Sequence, residues 1–121
     1  IPMYNYSIPA NFKAYIDQIV RVRRTFAASE DGYEGLLKDK KMLVITARGD
    51  SFLDSPLDFQ EPFLRAVFEF IGVTDITFIH AENLSAGADA RQQSITAARA
   101  AIQQFITAWR EAKICFARLI S

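Results

Sequence analysis

The sequence predicts an α/β fold built on a doubly wound parallel sheet, and three observations carry that prediction. Lys41-Met42-Leu43-Val44-Ile45-Thr46 and Asp75-Ile76-Thr77-Phe78-Ile79-His80-Ala81 are strand-like runs, the first a continuous apolar one of the kind found where helices cover both faces of a parallel sheet. Helix-periodic stretches alternate with them, in the order helix, strand, helix, strand, helix. Ahead of the first helix, Ile1 to Pro9 combines an apolar start, a tight polar-aromatic turn and a helix-opening proline. That is the form of a strand-to-helix loop at the ligand-binding rim of such a sheet.

In chain order, Phe12, Tyr15, Ile16, Ile19 and Val20 fall on one stripe of a helix beginning near Pro9. Pro9 suits the first helical position, and the cap stays open between Ser7 and Ile8. Lys13, Asp17 and Arg21, spaced by four, read as a solvated face. Arg21, Arg23 and Arg24 read as a complement to the negative helix end rather than a phosphate site. Thr25 to Asp39 reads as a loop or irregular hairpin, anchored by its own aromatics Phe26 and Tyr33. Asp58 to Ile71 is the next helix, with Asp58 and Glu61 spaced as a capping box, Pro62 in the first turn and Gly72 as the stop. The last helix starts near Asp89 and carries Ile95, Ala98, Ile102, Phe105, Ile106 and Trp109 at helical spacing.

Composition narrows the function classes. The 121 residues are half hydrophobic, which is globular and enough for one domain with a core. Fourteen basic and fourteen acidic residues cancel, so no net field favours nucleic acid or an anionic membrane. The single cysteine, Cys115, permits no internal disulfide, and one histidine leaves no spacing for a structural metal site. No apolar run approaches the roughly 20 residues that span a bilayer, and a reducing, cytoplasmic setting is expected. His80 near a strand end reads as a satisfied structural group, with proton transfer as the competing role.

Met3, Tyr4, Asn5 and Tyr6 offer a planar, partly polar ring system polarisable surface, an aromatic face and an amide. Backbone N–H groups left free in the loop add donors. The same residue types also make ordinary turns. The run PMYNYSIPANFKAYID, followed by Arg24-Thr25-Phe26 and Glu34-Gly35-Leu36, resembles the flavin-dependent NADH-azoreductases, FMN enzymes of flavodoxin-like fold that reduce quinones and azo dyes. The family usually carries Phe where Tyr6 stands.

By that resemblance, residues 1–109 are the carboxyl half of a flavodoxin-like domain, and residues 110–121 a tail or a helix extension. The Thr25 to Asp39 segment would lie over the active site, where Phe26 and Tyr33 could be ring contacts. Ile1 lies inside a motif with no initiator Met, so the chain reads as a piece of a longer protein, with Ile1 and Pro2 the end of the sheet's third strand. Ala47, Arg48, Gly49 and Asp50 occupy the place of the family's Ser-Arg-Gly-Gly and are the expected second flavin contact beside Met3 to Tyr6. Ala47 lacks the serine hydroxyl. Asp50 puts a side chain where the family has bare backbone, which would be strained at a positive φ and unfavourable beside a reduced, anionic flavin.

The resemblance further implies NADH as hydride donor, quinones or azo compounds as acceptors in ping-pong order, and two active sites in a homodimer. The flavin carries the chemistry, so no protein catalytic residue is expected. The phosphate loop of an intact relative, a Ser-rich turn after the first strand, has no counterpart here. Its loss removes charge-assisted hydrogen bonds worth about 1.5–3 kcal/mol each, so the chain alone is expected to bind FMN poorly. With one strand edge unpaired, it is also expected to aggregate, self-pair or take up a complementary fragment. The alternative reading is a non-catalytic flavodoxin-like module whose departures at Ala47 and Asp50 mark a lost site.

Overall fold

The computed structural model describes the backbone of residues 1–120 and the side chains through residue 112. The element order is α1 (Ala10–Ile19), β1 (Phe26–Ser29), β2 (Gly32–Gly35), β3 (Lys41–Ala47), α2 (Glu61–Phe70), β4 (Asp75–Ala81) and α3 (Ala88–Ile120). The expectations for Cys115 and for the side chains of Ile114, Phe116, Leu119 and Ile120 lie outside the described residues.

Strands β3 and β4 pair in parallel, Lys41 opposite Asp75 through to Ala47 opposite Ala81. On the other side of β3, Pro2 bridges Ala47 in parallel, Met3 N donates to Ala47 O at 2.9 Å and Ala47 N to Ile1 O at 3.0 Å. Ile1 to Met3 is therefore a strand end beside β3, as the resemblance implied. Ile1 N also donates to Ile45 O at 2.6 Å, and nothing among the described residues pairs with that edge before Ile45.

Because side chains alternate across a strand, Met42 and Val44 of β3 and Ile76 and Phe78 of β4 share one face. They pack with Ile16 of α1, with Leu64 and Phe68 of α2, and with Ile71 and Val73 just beyond it. Fully burying side chains of this size stabilises the fold by about 1.5–3 kcal/mol each. Helix α3 takes the other face, where Lys41 Nζ stands 5.3 Å from the centre of the Phe105 ring and Ala98 is buried. The expected full cover over both faces of β3 is not reached: Ile45 remains 40% exposed, because α3 packs along β4 and leaves the β3 edge open.

Several boundaries differ from the sequence reading for identifiable reasons. Pro9, with ψ 147°, is the N-cap of α1 rather than its first residue, and no side chain caps it. The helix ends at Ile19, so Arg21, Arg23 and Arg24 lie beyond its last turn. Thr25 Oγ1 donates to Ile19 O at 2.6 Å in their place. Helix α2 starts at Glu61, not Asp58. Asp58 caps it from outside, its Oδ1 accepting from the N–H of Gln60 (3.0 Å) and Glu61 (3.1 Å), while Glu61 pairs with Arg65 instead of closing a box.

The segment after α1 is a regular antiparallel hairpin, β1 with β2, turning at Glu30 and Asp31. Its Phe26 and Tyr33 rings lie 4.8 and 5.5 Å from Phe70 at the end of α2, so the aromatics anchor the hairpin. Gly72 permits the same docking: its φ is +108°, and a Cβ there would strike the Leu37 carbonyl.

Candidate functional site

The rim at the carboxyl ends of β3 and β4 is built from three loops. In the first, Tyr4 and Ser7 each donate an N–H to the other's carbonyl, at 3.2 and 3.0 Å, closing a two-residue turn. Its central residues Asn5 and Tyr6 have φ of +48° and +69°, the left-handed pair such a turn demands. Asparagine tolerates that region, whereas a tyrosine there carries strain of about 1–3 kcal/mol.

The second loop follows β3 and is laced to the third, which follows β4. Leu84 N donates to Arg48 O (3.1 Å), Ser85 N to Gly49 O (2.9 Å) and Asn83 N to Asp50 O (3.4 Å). Gly49 leaves room for this approach, since a Cβ there would meet Ser85 Oγ at 3.0 Å. Neither Gly49 nor Asp50 has a positive φ, so Asp50 carries none of the strain its place in the motif threatened. Its carboxylate folds back to accept from Ser51 N at 2.9 Å.

Between these loops lies an open cleft of about 560 Å³ lined by Met3, Asn5, Tyr6, Gly49, Asp50, Phe52, Ser85 and Ala86. The rings of Tyr6 and Phe52 meet edge to face at 6.0 Å on its wall. The backbone N–H groups of Asn5, Tyr6, Gly49 and Asp50 have no hydrogen-bond partner among the described residues. A cleft with aromatic and sulfur surface and a set of unspent peptide donors is suited to a flat heteroaromatic ring.

Three sequence-nominated residues do not line this cleft. Tyr4 faces a neighbouring one with Lys13 and Phe63. Ala47 contributes backbone, its N–H and C=O both taken by the first strand end. Arg48 is 1% exposed, with Nη1 2.9 Å from Asp58 Oδ2 and 3.5 Å from Glu82 Oε2, and Nε donating to Gln60 Oε1 at 3.2 Å. The Asp58 and Glu82 contacts are ionic rather than well-directed hydrogen bonds, for neither Nη1 nor Nη2 has a partner of good geometry. Phe52, Ser85 and Ala86 were missed. The signal available for Ser85 and Ala86 was positional, because a loop after a neighbouring parallel strand must open on the same rim.

His80 lies away from the cleft. Its Nδ1 is 2.6 Å from Thr46 Oγ1 and its Nε2 2.7 Å from Glu61 Oε2, which satisfies both ring nitrogens and supports the structural reading. Thr46 is buried, so the trio offers no accessible nucleophile.

A family model described as flavodoxin-like fold matches residues 1–106. The chain is 71% identical over 110 residues to FMN-dependent NADH:quinone oxidoreductase 1 of Trichormus variabilis, covering 91% of this chain and 53% of that protein. It is 56% identical over 113 residues to FMN-dependent NADH:quinone oxidoreductase of Nostoc punctiforme, at 90% and 55% coverage. Among solved structures, the FMN-dependent NADH-azoreductase of Bacillus anthracis in complex with FMN superposes with a TM-score of 0.74 at 28% identity, over 87% of this chain and 53% of that one. The chain thus spans about half the length of the curated relatives it matches.

Proposed function

The chain belongs to the flavodoxin-like fold family, and from that premise we propose that it forms the ring-binding side of an FMN-dependent NADH oxidoreductase that reduces quinones and azo compounds. The observation that carries this reading is that Asn5, Tyr6, Gly49 and Asp50, whose backbone N–H groups have no partner among the described residues, all line one cleft at the carboxyl ends of parallel strands. The functions of the relatives that the chain matches support it.

A flavin held there would supply the hydride-transfer chemistry between NADH and the acceptor, in ping-pong order. The protein's part is to bind and orient. Met3, Asn5 and Tyr6 hold one side of the ring, Gly49 and Asp50 the other. Tyr4 and Ala47 act through their backbone and Arg48 by tying the loops together. The phosphate is held by a segment outside this chain.

The active form is a homodimer in the cytoplasm. Exposed Leu53, Leu57, Phe59 and Tyr4 around the rim give a second subunit an apolar surface to cover.

The test is flavin fluorescence quenching by the product of the complete reading frame and by the 121 residues alone, each checked by gel filtration. The longer product is expected to bind FMN stoichiometrically and the shorter one weakly. A folded, full-length product without FMN affinity would overturn the reading.

A further inference from the structure

Gln60 has no exposed surface at all, yet its side chain ends in an amide with both a donor and an acceptor to satisfy. Both are used, and on different loops. Its Nε2 donates to Pro2 O at 3.1 Å, and its Oε1 accepts from Arg48 Nε at 3.2 Å. The neighbouring Phe59 N–H donates to Tyr6 O at 3.1 Å, so residues 59 and 60 grip the first loop on both sides of its turn. Arg48, in turn, faces Glu82 of the third loop, whose Oε2 accepts from Phe52 N at 2.5 Å.

We propose that Gln60 is a positioning residue for the cleft: its buried amide holds the Pro2–Tyr6 turn in register with the Arg48 loop, and thereby sets how tightly the cleft takes an isoalloxazine ring. The proposal rests on the flavin reading above for its ligand, but the mechanical coupling does not depend on any ligand. Gln60 does not reach the cleft itself. It acts through Pro2 O on one side and Arg48 on the other.

The chemistry at this position is demanding. Pro2 O requires a donor and Arg48 Nε requires an acceptor, and an amide supplies both at the two ends of one planar group. Glutamate would keep a partner for Arg48 but set a carboxylate oxygen against a carbonyl oxygen. Methionine would satisfy neither, leaving a buried donor and a buried acceptor without partners. The two substitutions therefore separate loss of the Pro2 contact alone from loss of both contacts.

The experiment compares Gln60→Glu and Gln60→Met with the parent in the protein expressed from its complete reading frame. In Gln60→Glu the urea midpoint is expected to fall, since the buried Pro2 carbonyl loses its donor, but by less than in Gln60→Met, where Arg48 Nε also loses its acceptor. The FMN Kd is expected to rise by about tenfold, the effect of one buried acceptor losing its donor. The visible circular dichroism of bound flavin, which reports how the ring sits, is expected to change. In Gln60→Met both stability and affinity fall.

Amide hydrogen exchange without ligand supplies the independent arm. The N–H groups of Met3 and Ser7 exchange faster in Gln60→Glu while those of β4 do not change. A Gln60→Glu protein with parental Kd, flavin dichroism and Met3 and Ser7 exchange overturns the positioning role. Loss of FMN binding in the parent itself sinks the flavin reading, while faster exchange in the variant would still support the coupling of the loops.

Discussion

Thr46 and His80 face each other across the parallel ladder, Oγ1 and Nδ1 2.6 Å apart, and the far ring nitrogen reaches Glu61 on α2 at 2.7 Å. The pair fastens the sheet to the helix that Asp58 and Gln60 immediately precede. His80→Leu leaves the buried Thr46 hydroxyl without its partner and is expected to cost about 1–3 kcal/mol in urea denaturation. FMN affinity should be unchanged, since His80 does not line the cleft. A large loss of affinity without loss of stability would instead put this histidine at the ligand.

Tyr6 permits a test of the strained turn. Glycine ordinarily destabilises relative to alanine, but at a φ of +69° the order reverses. Tyr6→Gly is expected to be more stable than Tyr6→Ala by about 1 kcal/mol, because only glycine escapes the left-handed penalty. Both variants lose the ring that meets Phe52 and should bind FMN more weakly. Denaturation midpoints for the pair decide the matter.

Asp50 places a carboxylate on the wall of the cleft. Asp50→Asn keeps an acceptor for Ser51 N and removes the charge. With the side chain exposed to solvent, the electrostatic gain is at most about 1 kcal/mol, so the flavin midpoint potential should rise by up to about 20 mV. Spectroelectrochemistry of the two proteins measures it, and a fall in potential would contradict the placement.

The elements most readable from sequence were β3 and β4, since Met42 to Ile45 and Ile76 to Ile79 are dense in β-branched and apolar residues that have no other home. That Met3, Asn5 and Tyr6 stand on the rim was readable from the turn chemistry of Asn5, Ser7 and Pro9. Gln60 was not. A polar residue in a capping segment looks solvated, and only the fold reveals that Pro2 and Arg48 close over it. Ser85 escaped for a related reason: it reaches the cleft through backbone bonds to Gly49, and main-chain pairing between loops leaves no mark on residue type.

The open edge of β3 gives a prediction for the 121-residue chain by itself. Ile45 is partly exposed next to the stretch of edge, Lys41 to Val44, that has no strand partner on that side among the described residues, so the isolated chain is expected to elute above monomer mass, and Ile45→Lys to shift it towards monomer. Light scattering on both proteins tests this. A parent that is already monomeric at micromolar concentration would show the edge to be harmless.

The lacing of residues 48–50 to residues 83–85 bears on how such a site can change over time. The unpaired donors that line the cleft are peptide groups, held in place by other peptide groups, so replacing a side chain there does not remove them. Alanine can stand at position 47 and aspartate at position 50 with every main-chain bond intact. Recognition of this kind would follow the path of the chain, which leaves the side chains around it free to vary.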